Sequence, residues 1–370
     1  MNDVITLDGR AKRNILIAMC TALMAVQASV SGLNVAQGQL AVDLGISQGT
    51  ILWIINAYTL ALASLLMPVG AIGDRFGRKP VLVTGLTVFL AASALAGFAQ
   101  SGVVMIAARA LAGVGAAMIM PVTLSVITST FPPDERGRAI GIWAGVAGSG
   151  GLVGLLMSAF MVDFANWRWL FALPAALVAF ALVLSLKVVP NSREHSAHPF
   201  DIIGSITSAV AIGGLVLGIH EGPERSWSDP ITLTGLIIGG LALVAFIAWE
   251  LRNREPLLDV RAFTDRSLAT GSFTLLLLFG TMFGIFLVLF PFFQAVLGWS
   301  ALRSAAAMLP LAAMMMPLST LAPKVNQRIG TRATIMTGLT AVAAGLVILA
   351  TLASVDGGYL SVLPGLLVIG

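Results

Sequence analysis

The chain has 370 residues, of which 58% are hydrophobic and only 10% are charged, and its mean hydropathy is +0.95. Water-soluble globular domains carry about a quarter charged residues, so this composition excludes that class and indicates a membrane protein. The single cysteine, Cys20, excludes an intrachain disulfide framework.

Segments without Asp, Glu, Lys or Arg recur along the chain, and eleven of them reach the ~18 to 20 residues with which a helix crosses a bilayer. They do not alternate as β-barrel strands do, so we predict an all-α membrane protein. A twelfth segment begins near Gly357 and reaches Gly370, and we therefore expect the sequence to be C-terminally truncated. The eleven segments are 14–42, 44–73, 80–108, 110–133, 139–162, 169–186, 202–219, 230–249, 267–302, 304–323 and 333–355.

Lysine and arginine are distributed unequally between the two sides of the membrane. With the N-terminus in the cytoplasm, 17 of the 21 fall in cytoplasmic loops, three fall in outer loops, and Arg109 lies within the fourth span. This distribution obeys the positive-inside rule, and it predicts a multi-pass cell-membrane protein with a cytoplasmic N-terminus. The net charge of +4 is then explained without a nucleic-acid partner, and anionic membrane lipids become the expected partner of the basic face.

A very short cytoplasmic loop joins the second and third spans. Its glycines permit a tight turn, its acid is able to cap a helix or to pair, and its three cations favour the anionic membrane face. The predicted gating loop consists of Gly70, Gly73, Asp74, Arg75, Gly77, Arg78 and Lys79.

A weaker copy of this loop follows 253 residues later, which indicates an internal repeat. Six spans of roughly 32 residues would give an offset near 190, so the segments 202–219 and 230–249 are predicted as an insertion between two halves. The matched positions are Arg75 with Arg328, Gly77 with Gly330, Thr84 with Thr337 and Gly85 with Gly338.

The loop resembles the hallmark G-x-x-x-D-R-x-G-R-K loop of the major facilitator superfamily. Three further motifs are similar to those of its fourteen-helix drug/proton antiporter branch, and they occupy 33–36, 167–171 and 297–300. The resemblance implies two six-helix bundles with two extra central helices, the second bundle being incomplete. The corresponding domains would be 1–190, 191–266 and 267–370.

The resemblance also implies a function, which is outward transport of hydrophobic or amphiphilic small molecules by alternating access. The proton gradient would supply the energy, with no cofactor, and the protein would act as a monomer and not as an enzyme. No phosphate-binding G-x-x-x-x-G-K-[ST] motif indicates an ATP-driven pump. Three alternatives stay open: an uncoupled facilitator, an exporter of a metabolite or lipid, and a truncated membrane protein without transport activity.

Arg109 is the only charged residue deep within a span, roughly 10 Å from the outer loop. An ionisable group at this depth is a functional candidate, and the simpler interpretation is an arginine that reaches back to the interface. The family carries an arginine in this helix that is implicated in proton movement, and Gly113 and Gly115 match the same motif. The glutamine usual three residues after it is Ala112 here.

A polar stripe in the first span and two residues of the second span are predicted to line the substrate cavity. Many drug exporters of this branch carry an aspartate near 27–29, but no carboxylate lies in the middle of any predicted span of this sequence. Proton coupling is therefore left open. The predicted cavity residues are Gln27, Ser31, Asn34, Asn56 and Tyr58.

The fifth span presents small residues on one face, where two helices could approach closely. Gly154 matches the family's antiporter motif, although Leu155 replaces its proline. By resemblance, Asp74 would stabilise one gate state by charge pairing that involves Arg136 or Arg138. His195 and His198 lack a third ligand, so no metal site is predicted. The predicted packing residues are Gly113, Gly151, Gly154 and Ser158.

Overall fold

The computed structural model describes residues 8–33, 35–190, 201–253, 256–355 and 357–370, and these residues form helices without any strand. Two 3₁₀ turns, Trp167–Phe171 and Val260–Thr264, and one π-helical turn, Phe292–Val296, interrupt the α-helices. The helices are α1 (Gly9–Gly32), α2 (Gln37–Leu44), α3 (Gln48–Phe76), α4 (Arg78–Gly97), α5 (Gly102–Thr130), α6 (Pro133–Phe164), α7 (Ala172–Val188), α8 (Ile202–Glu224), α9 (Pro230–Glu250), α10 (Arg266–Pro291), α11 (Ala301–Ala306), α12 (Leu309–Ile329), α13 (Thr331–Leu352) and α14 (Gly358–Ile369).

The prediction of an all-α membrane protein is confirmed. Ten helices within the described residues are long and apolar enough to cross a membrane. The uncharged segment 14–42 does not form one helix, since α1 ends at Gly32 and α2 begins at Gln37. A continuous helix over that segment would be much longer than the ~30 Å of hydrocarbon that it has to cross.

Polar residues just before several helices satisfy free backbone N–H groups of the first helical turn. Ser47 caps α3, Ser101 caps α5 and Asp229 caps α9, each by accepting a backbone N–H with its side chain. At the other end of α8, the helix continues past Ile219 to Glu224 and so brings acidic residues into the helix.

The first compact unit comprises Met1–Gly154 and Asn166–Asp265. Its apolar core is formed by side chains of α1, α4, α5 and α7, with Met19, Leu86, Ile119 and Val178 among them. The helices α8 and α9 form a hairpin that also packs against α3. A Cβ added to Gly214 would lie 2.8 Å from the Gly239 Cα, so the two helices of the hairpin meet backbone to backbone.

The second compact unit comprises Leu155–Ala165 and Arg266–Gly370. It contains α10 to α14 and the last part of α6. Within it, α13 and α14 approach closely, and a Cβ added to Gly365 would lie 2.7 Å from Leu349 Cδ2. The predicted domain divisions at residues 190 and 266 stay predictions.

Candidate functional site

Arg109 is buried inside the first unit, with 2% of its surface exposed. Its Nη1 donates to Ser29 Oγ at 2.8 Å and its Nη2 donates to the Ser29 carbonyl at 3.2 Å. Its Nε donates to the Ile54 carbonyl at 3.3 Å. The guanidinium thus joins α5 to α1 and to α3, and it does not reach back to the membrane surface.

Tyr58 completes the surroundings of the guanidinium. Arg109 Cζ lies 4.3 Å from the centroid of the Tyr58 ring, which is within cation–π range. The Tyr58 hydroxyl donates to the Val26 carbonyl at 3.1 Å, and its ring meets that of Phe89 edge to face. Tyr58 is fully buried, so the ring is fixed between α1, α4 and α5.

The partners of the Arg109 guanidinium are neutral. Among the residues that the structure describes, the carboxylates that form ion pairs do so with Lys12, Arg78, Arg168 and Arg225, and none pairs with Arg109. A buried cation without a counterion is costly, and here three oxygen acceptors and an aromatic face offset part of that cost. The site is therefore a positive charge held in a largely apolar bundle.

Two glycines next to Arg109 allow the close helix approach that positions it. A Cβ on Gly113 would clash with the Tyr58 carbonyl and would lie 2.8 Å from Ala61 Cβ. A Cβ on Gly115 would lie 2.8 Å from the Phe89 backbone nitrogen. Because α5 has no side chain at these positions, its backbone reaches both α3 and α4.

Gln27 and Ser31, predicted to line the cavity, contact the backbone of α6. Gln27 Nε2 donates to the Ala147 carbonyl at 2.7 Å, and Ser31 Oγ donates to the Gly151 carbonyl at 2.9 Å. In this structure they join α1 to α6, as polar side chains do between membrane helices. Asn34 lies outside the described residues.

The predicted packing residues of α6 differ in how closely other helices approach them. A Cβ on Gly154 would lie 2.9 Å from Ala28 Cβ and 3.0 Å from Ser31 Oγ, whereas a Cβ on Gly151 would meet nothing within 4 Å. Gly154 is thus the position of close approach to α1. Ser158 is buried.

Asn56 contacts the hairpin of α8 and α9. Its Nδ2 lies 3.1 Å from His220 Nδ1 on α8, and the Trp53 ring meets the His220 ring edge to face. Glu221, next along α8, is 2% exposed and pairs with Arg225. His220, Glu221 and Arg225 were not predicted as site residues because they follow the uncharged segment 202–219. Extending the predicted helix to Glu224 would have placed His220 and Glu221 within it.

The predicted gating loop forms a tight turn between α3 and α4. Gly77 has φ of 117°, a conformation that favours glycine, and Asp74 pairs with Arg78 at 2.9 Å. Lys79 Nζ donates to the Leu186 carbonyl at 2.9 Å, while the Arg75 guanidinium lies 5.7 Å from the Phe76 ring centroid.

Helix α5 lies against this turn. A Cβ on Gly70 would lie 3.4 Å from Pro121 Cβ, and one on Gly73 would lie 2.8 Å from Val122 Cγ2. Arg136, one of the two cations expected to join the charge pairing of Asp74, donates its Nε to the Phe131 carbonyl at 3.4 Å.

Ten membrane-length helices within the described residues, with a buried arginine on α5 and a tight turn at Gly77, define a polytopic helical membrane protein. Residues 17–370 match the sequence profile of the Major Facilitator Superfamily, and the chain belongs to that family. The family and the relatives below are transporters and not enzymes.

Several curated relatives are named as resistance proteins. The puromycin resistance protein of Streptomyces alboniger is 34% identical over 91% of this chain and 67% of its own length. The tetracenomycin C resistance and export protein of Streptomyces glaucescens is 31% identical over 92% of this chain and 64% of its own length. The multidrug resistance protein Stp of Mycobacterium tuberculosis is 30% identical over 85% of this chain and 59% of its own length. The chain spans about half to two thirds of the length of the relatives it matches.

Solved structures support the fold alone. The proton:xylose symporter XylE bound to 6-bromo-6-deoxy-D-glucose superposes with a TM-score of 0.64 at 14% identity, covering 98% of this chain and 79% of that one. A peptide transporter in complex with alafosfalin gives a TM-score of 0.65 at 13% identity, covering 97% and 78%.

Proposed function

We propose that this protein is a secondary active transporter that exports hydrophobic or amphiphilic small molecules in exchange for protons by alternating access. Relatives named for resistance to puromycin, tetracenomycin C and several drugs support export of such compounds. The observation that carries the proposal is the burial of Arg109 among neutral acceptors on two neighbouring helices. A fixed cation inside the bundle is a means of coupling the charge of a substrate or proton to helix movement.

The coupling follows from the partners of Arg109. Its hydrogen bonds hold α1, α3 and α5 together in this state, so a movement of α1 relative to α5 breaks the bonds to Ser29. The freed guanidinium then repels a proton or a cationic substrate that comes near it and attracts a carboxylate. The protein alternates between these two states, and the ligand charge selects one of them.

The fourteen-helix branch, a cytoplasmic N-terminus and a monomeric state belong to the same proposal. The hairpin of α8 and α9 supports the fourteen-helix branch, since it supplies two membrane-length helices between α7 and α10 in the sequence. We further propose that Asp74 stabilises one gate state through its pair with Arg78, and that Gln27, Ser31, Asn56 and Tyr58 line the route of the substrate when α1 moves.

An uncoupled exporter is the second candidate, and one observation favours it. No carboxylate pairs with Arg109 within the described residues, and Gln27 occupies the region where many drug exporters of this branch carry an aspartate. Without an acid beside Arg109 to bind and release a proton, net flux would follow the substrate gradient alone.

Dye accumulation in inverted membrane vesicles separates the two candidates. With the full-length protein, respiration that acidifies the vesicle interior should drive ethidium accumulation, and a protonophore should abolish it. Vesicles that carry the Arg109→Ala variant at equal protein level are the matched control. Accumulation that persists unchanged with the protonophore would support the uncoupled exporter, and absence of accumulation for every compound of a resistance panel would contradict export.

A further inference from the structure

A cavity of about 320 Å³ lies between α3 and α8, at the end of α3 farthest from Gly77. Trp53 and the capping turn of α3 form one wall, and the last turn of α8 forms the other. The lining side chains that matter for binding are Ser47, Thr50, Trp53, Glu221, Glu224 and Arg225. The cavity reaches the lower end of the volume range of small-molecule sites.

A polar chain runs along this cavity, and three of its members, His220, Glu221 and Arg225, line it. Asn56 Nδ2 lies 3.1 Å from His220 Nδ1, and His220 Nε2 lies 3.8 Å from Glu221 Oε1. Glu221 Oε2 in turn accepts from Arg225 Nε. Glu221 has 2% of its surface exposed, so its position is fixed by these partners.

The charges of the lining leave a net negative site. The carboxylates of Glu221 and Glu224 line the cavity together with the single guanidinium of Arg225. The Trp53 indole supplies a flat aromatic wall beside them. A carboxylate next to an indole is suited to a cation that also has an apolar body, because the ring face and the acid attract the same charge.

We propose that this cavity is a binding site for amphiphilic organic cations, separate from the Arg109 site. The positive group would lie between Glu224 and the Trp53 ring, and the apolar body would lie along Leu52. A metal ion fits the lining less well, because the described residues contain no group of three acidic, histidine or cysteine side chains arranged to hold one. The site exists only where the inserted hairpin packs on α3, and binding there requires no transport.

Equilibrium binding of radiolabelled tetraphenylphosphonium to the full-length protein in nanodiscs tests the proposal. The Trp53→Leu and Glu224→Gln variants should each weaken tetraphenylphosphonium binding at the cavity between α3 and α8 by about tenfold. Trp169→Leu, at an exposed tryptophan outside the cavity, and Asp134→Asn, at an exposed acid, are the matched controls and should bind as the wild type does.

Site-directed labelling locates the binding. In a Cys20→Ser background, tetraphenylphosphonium should slow maleimide labelling of Thr50→Cys and leave the labelling of Ser228→Cys in the α8–α9 loop unchanged. Absence of protection at Thr50→Cys, wild-type affinity in both cavity variants, or an equal loss in Trp169→Leu would overturn the proposal. Loss of ethidium accumulation with intact protection would instead contradict the proposed transport function alone.

Discussion

The guanidinium of Arg109 lies over the ring of Tyr58, with 4.3 Å between the Arg109 Cζ and the ring centroid. The same guanidinium donates to Ser29 and to the Ile54 carbonyl. The Arg109 side chain therefore contacts both α1 and α3. If either helix moves relative to α5, Arg109 has to exchange its hydrogen-bond partners.

Replacement of Arg109 by lysine should lower transport at least about tenfold, although the charge is retained. An ammonium is a compact point charge, and it would not span the three oxygens and the ring face that the planar guanidinium reaches. Loss of one hydrogen bond from a charged group costs about 1.5 to 3 kcal/mol, which corresponds to a tenfold or larger effect. Initial rates of ethidium accumulation measure the change, and wild-type rates in Arg109→Lys would contradict the assigned contacts.

Two substitutions of Tyr58 distinguish the contribution of its hydroxyl from that of its aromatic ring. Tyr58→Phe keeps the ring below Arg109 and removes only the bond to the Val26 carbonyl, so we expect a loss of about 1 kcal/mol in stability with transport largely retained. Tyr58→Leu also removes the aromatic face and should impair transport further. Thermal unfolding and vesicle accumulation are compared for both variants. Equal transport in the two variants would show that the ring is not required.

Gly154 and Gly151 form a matched pair on α6. Gly154→Ala places a methyl group against Ala28, whereas Gly151→Ala places it in open space. We expect Gly154→Ala to lower the thermal stability and Gly151→Ala to be neutral or stabilising, by up to about 1 kcal/mol from helix propensity. Fluorescence-detected thermal unfolding in detergent distinguishes them. A stable Gly154→Ala variant would contradict the close approach of α1 and α6.

Asp74→Asn removes the acid that pairs with Arg78 while it preserves the shape of the turn. A partly exposed i,i+4 pair contributes about 0.3 to 0.5 kcal/mol, so the stability should hardly change. A severalfold loss of transport is expected, because the pair is proposed to stabilise one gate state. Asp134→Asn is the control. Export at the wild-type rate in Asp74→Asn would remove the gating role of this loop.

The predicted orientation is testable with reporter fusions. A reporter after Lys79 should remain in the cytoplasm, and one inserted at Ser228, between α8 and α9, should appear outside, because the basic loops favour the cytoplasmic side. Alkaline phosphatase and green fluorescent protein activities give opposite signals for the two sides. The reverse pattern would overturn the assignment of the cytoplasmic face.

The helical fold followed from the sequence because lipid permits few other solutions. Uncharged segments of membrane length located most helices, and Gly77 and Gly330 both adopt positive φ between successive helices, at the spacing of the predicted repeat. The ends of helices were less predictable. The charged residues after Ile219 were treated as loop residues, yet α8 continues to Glu224, and Glu221 in its last turn pairs with Arg225.

The site was predictable only in part. An arginine in the middle of an uncharged span identified Arg109 as important, but the sequence could not identify its acceptors, which are a serine and two backbone carbonyls on other helices. Every residue has a backbone carbonyl, so the residue type does not indicate which carbonyl accepts a hydrogen bond. For the same reason, the polar stripe of Gln27 and Ser31 predicted a neighbouring element without indicating that α6 carbonyls would be the partners.

Proton movement coupled to substrate movement is the most direct measure of the proposed function. The full-length protein would be reconstituted in liposomes that contain a pH-sensitive dye, and ethidium would be added without an imposed gradient. We predict that substrate entry causes protons to move in the opposite direction in wild-type liposomes and that this flux is lost in Arg109→Ala. Substrate flux without any proton flux in wild-type liposomes would contradict exchange.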